Sequence, residues 1–217
     1  MIQAVIFDMD GVLIDSEIVY TEHVYKKLSG KYINLKIEQL YPVVGSSRQR
    51  TRELIFQAVG EPFDSPEFNK TYETLYKDIP VDYPSILRDG VHEILTNLKE
   101  NGYKLALASS TYMAGIEKVL SSCKLENYFD SIISGGMFKE TKPNPEIYLY
   151  TAKQLDVQLE NCLVIEDSTY GVTSAHRAGM AVAALRDERF NFDQSLADYS
   201  IGSLWEIFAV LDKLNES

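Results

Sequence analysis

The run Ala4-Val5-Ile6-Phe7, followed at once by Asp8-Met9-Asp10-Gly11, constrains the fold more than any other stretch. It is unbroken, apolar, of strand length and carries β-branched and aromatic members, which predicts a strand buried on both faces of a parallel sheet. Ligands of open α/β sheets sit outside the carboxyl ends of the strands, so the two aspartates fall where chemistry is expected. Gly11 lets the backbone turn away directly behind them. Two carboxylates one residue apart on a single rim repel each other. A hard divalent cation such as Mg²⁺, held by carboxylate oxygens, a backbone carbonyl and water, answers that repulsion. Read alone, Asp-x-Asp-Gly is equally an ordinary turn, because Asp and Gly favour turns for local reasons.

At 217 residues the chain suffices for one substantial core, or for a core with a smaller inserted domain. Hydrophobic residues make up 45%, yet no apolar run approaches the ~18 residues of a membrane span, so a soluble globular protein without membrane attachment is expected. The first strand begins within a few residues of Met1, which leaves no room for a leader peptide and makes the cytoplasm the expected compartment. Cys123 and Cys162 are far apart and lack a metal-ligand pattern, so both read as core thiols. A formal net charge of -11 opposes sequence-independent nucleic-acid binding. It also repels phosphorylated molecules at long range, so a site for one must be locally positive.

Beyond the acid pair the pattern turns helical. Asp15 or Ser16 can cap a helix that Gly30 stops, a second helix runs from Ser46 or Ser47 to Gly60, and a third starts at Pro66 and ends before Pro80. Residues 15–83 therefore read as a helical insertion between residues 1–14 and 84–217. From Pro84 onward strands and helices alternate, which predicts a Rossmann-like three-layer α/β/α core with a mainly parallel sheet. Strands are expected at 104–108, 129–133, 162–165 and 181–184, with helices at 90–100, 113–122, 145–155, 170–178 and 202–214. Leu204, Phe208 and Leu211 would face inward from the last helix, with Trp205 on its flank.

Four segments lie at strand ends or in the loops that follow: Asp8-Met9-Asp10-Gly11-Val12-Leu13-Ile14-Asp15-Ser16-Glu17, Ser109-Ser110-Thr111, Lys142-Pro143-Asn144-Pro145, and Glu166-Asp167-Ser168 with Gly171 and Ala175-His176-Arg177-Ala178-Gly179. In this order they resemble the motifs of the haloacid dehalogenase superfamily of phosphatases and phosphomutases. The likeness is to the branch with a small helical cap that contains the β-phosphoglucomutase-like proteins.

The resemblance implies a role for each position. Asp8 would be the nucleophile that forms an aspartyl-phosphate, and Asp10 the general acid/base that protonates the leaving oxygen and then activates water. Family dehalogenases lack the second aspartate, so Asp10 argues for phosphoryl chemistry. Ser109, with Ser110 behind it, would bind phosphoryl oxygens through hydroxyl and backbone N–H groups near a helix start. Lys142 would neutralise the nucleophile and the transferring group. Mg²⁺ would be held by Asp8, Asp10 and Asp167, with Glu166 a further ligand, direct or through water. His176 falls on a helix face and reads as structural. The insertion would be the cap that selects the ester, and Gly45-Ser46-Ser47-Arg48 resembles its GxSR segment, which makes Arg48 a candidate substrate anchor.

Two positions depart from the mutases of that branch. Their cap histidine is replaced by Tyr20, with His23 nearly one turn beyond, and their lysine after the second-motif serine is replaced by Tyr112. The expected function is therefore a Mg²⁺-dependent phosphatase for small phosphate monoesters, sugar phosphates among the candidates. A sugar phosphomutase is the alternative and a non-catalytic phosphate-sensing subunit a remote one. The expected partner is a small phosphorylated metabolite, and the expected state a monomer or weak dimer.

Overall fold

The apolar runs assemble into one parallel sheet, as their burial on both faces demands. The computed structural model describes residues 1–45, 48–62, 65–77 and 79–216, without the side chains of Arg48 and Gln49. The strands are β1 (Ala4–Phe7), β2 (Lys104–Ser109), β3 (Ser131–Ser134), β4 (Cys162–Glu166), β5 (Ala181–Leu185) and β6 (Tyr199–Ile201). Their order is β3-β2-β1-β4-β5-β6, with every pairing parallel. β1 therefore lies centrally, and the winding reverses on either side of it. That reversal opens a crevice at the carboxyl edge, beside the end of β1.

The helices are α1 (Ser16–Ser29), α2 (Arg48–Val59), α3 (Pro66–Leu75), α4 (Val91–Glu100), α5 (Met113–Cys123), α6 (Glu146–Leu155), α7 (Thr169–Arg177) and α8 (Ile207–Glu216). The chain divides into two compact units. One comprises Met1–Asp15, Tyr83–Asp187 and Phe192–Ser217, and the other Ser16–Asp82 with Glu188–Asn191.

In the sheet unit, Ala4, Ile6, Ala106, Ala108, Val164 and Val182 project to one face and bury against Ile147, Tyr148 and Ala152 of α6 and Val172 and Ala175 of α7. Each residue of β1 is fully buried, so the strand has no solvent face and needs no polar alternation. Cys123 and Cys162 are both buried. The helical unit has a core of its own, built from Val24, Leu28, Leu35, Leu40, Ile55, Phe56, Phe68 and Leu75. Phe56 and Phe68 meet edge to face at 4.4 Å between ring centroids, a favoured arrangement of aromatic quadrupoles. Pro66 and Ser65 start α3 as their chemistry predicts, Ser65 accepting from the Phe68 amide.

Several expectations need correction. β3 begins at Ser131 rather than Phe129, because Asp130 is engaged in binding Leu105: its amide donates to the Leu105 carbonyl and its carboxylate accepts from the Leu105 amide. The last helix starts at Ile207 after a 3₁₀ turn over Leu204–Glu206, and Ile207, Val210 and Leu211 face inward while Phe208 is half-buried. Residues 188–191 pack with the helical unit, where Phe190 stacks edge-on against Tyr41 at 5.5 Å, although they lie inside the span assigned to the core. The edge strand β6 escaped the sequence reading. It has three residues, of which Ile201 is buried, too few for a period-2 pattern.

Candidate active site at the carboxyl edge of the sheet

Parallel register brings the polar residues together. Phe7 lies opposite Leu107 on one side and Ile165 on the other, so the next residue on each strand, Asp8, Ala108 or Glu166, reaches the edge at one level. The Asp8 amide continues the ladder onto the Ile165 carbonyl at 3.0 Å. Behind Asp8 the backbone folds into a tight loop in which Gly11 donates to the Ile14 carbonyl, and Leu13 and Ile14 donate to the Met9 carbonyl. Arg88 fastens this loop: its Nε donates to the Gly11 carbonyl at 2.8 Å, and its guanidinium lies 3.7 Å from Asp15 and 3.6 Å from Asp187.

Lys142 is the hub. Its buried Nζ donates to Asp8 Oδ1 at 2.6 Å, to the Ala108 carbonyl at 2.9 Å and to Glu166 Oε1 at 2.7 Å, which uses all three ammonium protons. Burial works against its charge, but the Asp8 and Glu166 carboxylates outweigh that and hold its pKa well above the ordinary lysine range. For Asp8 the balance differs. Burial pushes its carboxyl up to about 8; Lys142 pulls it down, and Glu166 and Asp10 add to the rise.

Glu166 is anchored at both oxygens. Oε1 accepts from Lys142 and from the Tyr148 hydroxyl at 2.8 Å, while Oε2 accepts from the Asp167 and Ser168 amides at 3.0 and 3.2 Å and from the Ser168 hydroxyl at 3.2 Å. Ser168 also caps α7, accepting from the Gly171 amide. Burial, with the Glu166 and Asp8 charges, raises the Tyr148 phenol well above the usual tyrosine range despite Lys142, so it serves as a donor.

Asp8, Glu166 and Asp167 are all buried and each offers a carboxylate oxygen within 4.8 Å of the others. Three acids share one ammonium in a buried place, so their full ionisation needs further positive charge, which suits a dication and hard oxygen ligands. The space is made by glycine. A Cβ at Gly11 (φ +80°) would overlap the Asp167 carboxylate, and one at Gly171 would overlap that of Glu166. The backbone carbonyl of Asp167 accepts from Gln194 Nε2, which also donates to the Leu185 carbonyl at 2.9 Å.

The remaining residues named from the sequence fall at graded distance from this cluster. Asp10 is half-buried, outside the three-acid group, and its Oδ2 accepts from Thr111 Oγ1 at 2.8 Å. Ser109 is buried at the end of β2, its Oγ accepting from the Thr111 amide at 3.1 Å. Ser134 Oγ in turn donates to the Thr111 carbonyl at 2.7 Å, so Thr111 is held from two sides while it holds Asp10. Ser110 is exposed, with its backbone close against Gly135. Arg48 opens α2; its side chain, like Ser46 and Ser47, lies outside the described residues. Tyr112 is 76% exposed and its ring covers Gly136. His176 is exposed on α7, and the Nε2 of His23 is shielded without a hydrogen-bond partner among the described residues.

Sequence reasoning passed over Thr111 and Tyr148 as site residues. Both left a signal: Thr111 closes the hydroxyl run after an apolar strand, and Tyr148 places a hydroxyl on the inward face of α6 one turn after Pro145.

The sequence of the haloacid dehalogenase-like hydrolases, taken as a family model, matches residues 5–185. The chain belongs to this family. A phosphorylated carbohydrates phosphatase of Thermotoga maritima is 35% identical to this hydrolase over 181 residues, which cover 82% of each chain. Hexitol phosphatase B of Escherichia coli K12 is 30% identical over 217 residues, covering 96% of this chain and 95% of that one. Among solved structures, a β-phosphoglucomutase of Clostridium difficile aligns with a TM-score of 0.73 at 27% identity, over 100% of this chain and 98% of that one. The family and its α/β fold thus agree with the motifs that the sequence displays.

Proposed function

We propose that this hydrolase is a Mg²⁺-dependent phosphatase of small phosphate monoesters, phosphorylated sugars or sugar alcohols foremost, acting through an aspartyl-phosphate on Asp8. The observation that carries this reading is the buried Lys142 ammonium, 2.6 Å from Asp8 and 2.7 Å from Glu166 beside the Asp167 carboxylate. The curated relatives named for phosphorylated carbohydrates and hexitols support the substrate class.

In this mechanism Asp8 attacks phosphorus and the ester oxygen leaves with a proton from Asp10. Water, deprotonated by Asp10, then releases phosphate from Asp8. Thr111 holds the Asp10 carboxylate for both transfers. Lys142 keeps its charge throughout and offsets the negative charge that gathers on the phosphoryl oxygens. Ser109 and the amides behind it receive those oxygens. Asp8 and Asp167 would hold Mg²⁺, with Asp10 contributing; Glu166, already accepting five hydrogen bonds, serves the lysine and the α7 turn. When bound, the ion supplies charge neutralisation and orientation of the phosphoryl group. The helical unit would act as the cap that selects the ester, with Arg48 as its candidate anchor.

The relative named as a β-phosphoglucomutase gives the mutase reading a specific footing. Tyr20 and Tyr112 weigh against it, because a mutase must grip a second phosphate and exclude water, and neither tyrosine brings a positive charge.

Phosphate release from a panel of phosphorylated sugars, polyols and small metabolites tests the proposal. Release that requires Mg²⁺ and stops with EDTA is the expected result. Interconversion of hexose phosphates without release, on priming with a bisphosphate, would replace it by the mutase reading. The metal should also act on stability in a pH-dependent way. Asp8, raised to about 8, binds its proton more tightly folded than unfolded, so the metal-free protein loses that contribution as pH rises through 8. Mg²⁺ should accordingly raise Tm more at pH 9 than at pH 6, and an equal gain at both would contradict Asp8 as a ligand.

Gly11→Ala tests the space reserved for Asp167. The left-handed backbone should cost about 1–2 kcal/mol of stability. Displacement of Asp167 should weaken Mg²⁺-dependent turnover about 10–100-fold. A variant with unchanged Mg²⁺ dependence would remove Asp167 from the metal site.

A further inference from the structure

We propose that Tyr148 is a positioning residue for this reaction, fixing the Oε1 oxygen of Glu166 and through it the aim of Lys142 at Asp8; the inference rests on the phosphatase reading for its chemistry. Tyr148 is fully buried on α6, six residues beyond Lys142, and belongs to none of the four sequence segments. Its hydroxyl donates to Glu166 Oε1 at 2.8 Å, the oxygen that also receives Lys142 Nζ at 2.7 Å. The same ammonium lies over the Tyr148 ring, 4.9 Å from its centroid. One side chain therefore touches both the lysine and the carboxylate that steers it.

The need for such a residue follows from the count of protons on Lys142. All three are used by Asp8, the Ala108 carbonyl and Glu166. Once a phosphoryl group reaches Asp8, the ammonium must serve its oxygens as well, and the carboxylate that pulls hardest on it decides whether it can. The Tyr148 hydroxyl satisfies part of Oε1 and so moderates that pull. Without it the buried oxygen depends on Lys142 alone and draws the ammonium off Asp8, because a buried charged acceptor gains strongly from each donor it keeps. The loss falls on the transition state, where the lysine is needed most, and not on substrate binding.

Tyr148→Phe tests this, since the ring and its packing remain and only the hydroxyl goes. The expected result is a kcat about tenfold lower with KM within about twofold, the size of one hydrogen bond to a charged group. In a Glu166→Gln background the same change should cost less than about threefold, because the charge through which the hydroxyl acts is gone. A purely structural tyrosine would instead lower Tm and cost the same factor in both backgrounds, which overturns the proposal. A crystal structure of Tyr148→Phe supplies a readout independent of turnover. The contact from Lys142 Nζ to Asp8 Oδ1 should lengthen past about 3.2 Å, beyond a normal N–H···O bond. An unmoved lysine overturns the proposal. A wild-type protein that releases no phosphate from any ester removes the phosphatase reading, and the crystal structure still decides the role of Tyr148.

Discussion

Replacing Asp8 by Asn is expected to lower phosphate release by at least about 10⁴-fold, the scale on which enzymes lose rate when their nucleophile is removed. An amide has no anionic oxygen to attack phosphorus, and Asp10 cannot take over from its place beside Thr111. The variant should remain folded. Asn fills the same volume, and it takes one carboxylate out of a buried cluster in which acids crowd one another. Loss of activity is then a chemical effect. Two measurements check it: steady-state phosphate release, and acid-quenched reactions with radiolabelled substrate, in which wild-type protein should carry a hydroxylamine-sensitive label and Asp8→Asn none. Label or full turnover in the variant would sink the covalent mechanism.

Lys142→Met should combine loss of turnover with loss of stability. Met approximates the aliphatic stem, so the effect isolates the charge. Its ammonium donates to Asp8, Glu166 and the Ala108 carbonyl, and the described residues place no other cation within hydrogen-bonding distance of that acid pair. Removing one partner from a buried charge cluster typically costs about 3–5 kcal/mol. Turnover should fall on the order of 10²–10³-fold from lost electrostatic stabilisation alone.

The pH dependence gives the sign. Lys142 lowers the proton affinity of Asp8, so its removal lifts that carboxyl further above about 8. Below the wild-type value Asp8 is protonated in both proteins, and the deficit is confined to the lost contacts of Lys142 with Glu166 and the Ala108 carbonyl. Above it the wild-type carboxyl ionises against Lys142, whereas the variant's holds a proton that the unfolded chain has already released, so the variant goes on losing stability with pH where the wild type no longer does. Urea unfolding in EDTA should therefore show the deficit at pH 9 and a smaller one at pH 6. A deficit equal at the two pH values would mean that the lysine contributes packing rather than charge.

Much of this protein was legible in its sequence. The strand Ala4–Phe7 and the helices Ser16–Ser29, Pro66–Leu75 and Val91–Glu100 lie close to where apolar period, caps and glycine stops put them, because those signals are local. The acid pair and Glu166-Asp167 stand at strand ends that local pattern already marks, whereas Lys142 stood out through the family resemblance and not through its spacing. The three-residue strand Tyr199–Ile201 was not, because its burial comes from pairing with β5, a neighbour that its own residues do not encode. The attachment of residues 188–191 to the helical unit was hidden for the same reason.

Composition and motif order determined the chemical parts: two aspartates behind a buried strand, a hydroxyl, a lysine and a further acid pair. Only the tertiary structure decided how they divide the work. Parallel register sets the ends of β1 and β4 side by side, and the turn before α6 brings Lys142 between Asp8 and Glu166, from which it stands 134 and 24 positions away in the chain. Glu166 spends its oxygens on Lys142, Tyr148 and the amides of Asp167 and Ser168, whereas Asp167 occupies the hollow that Gly11 leaves. Sequence states which acids are present. Which of them meets Lys142 and Tyr148 and which lies against Gly11 depends on side chains brought together from distant positions, and that is settled only when the sheet closes around them.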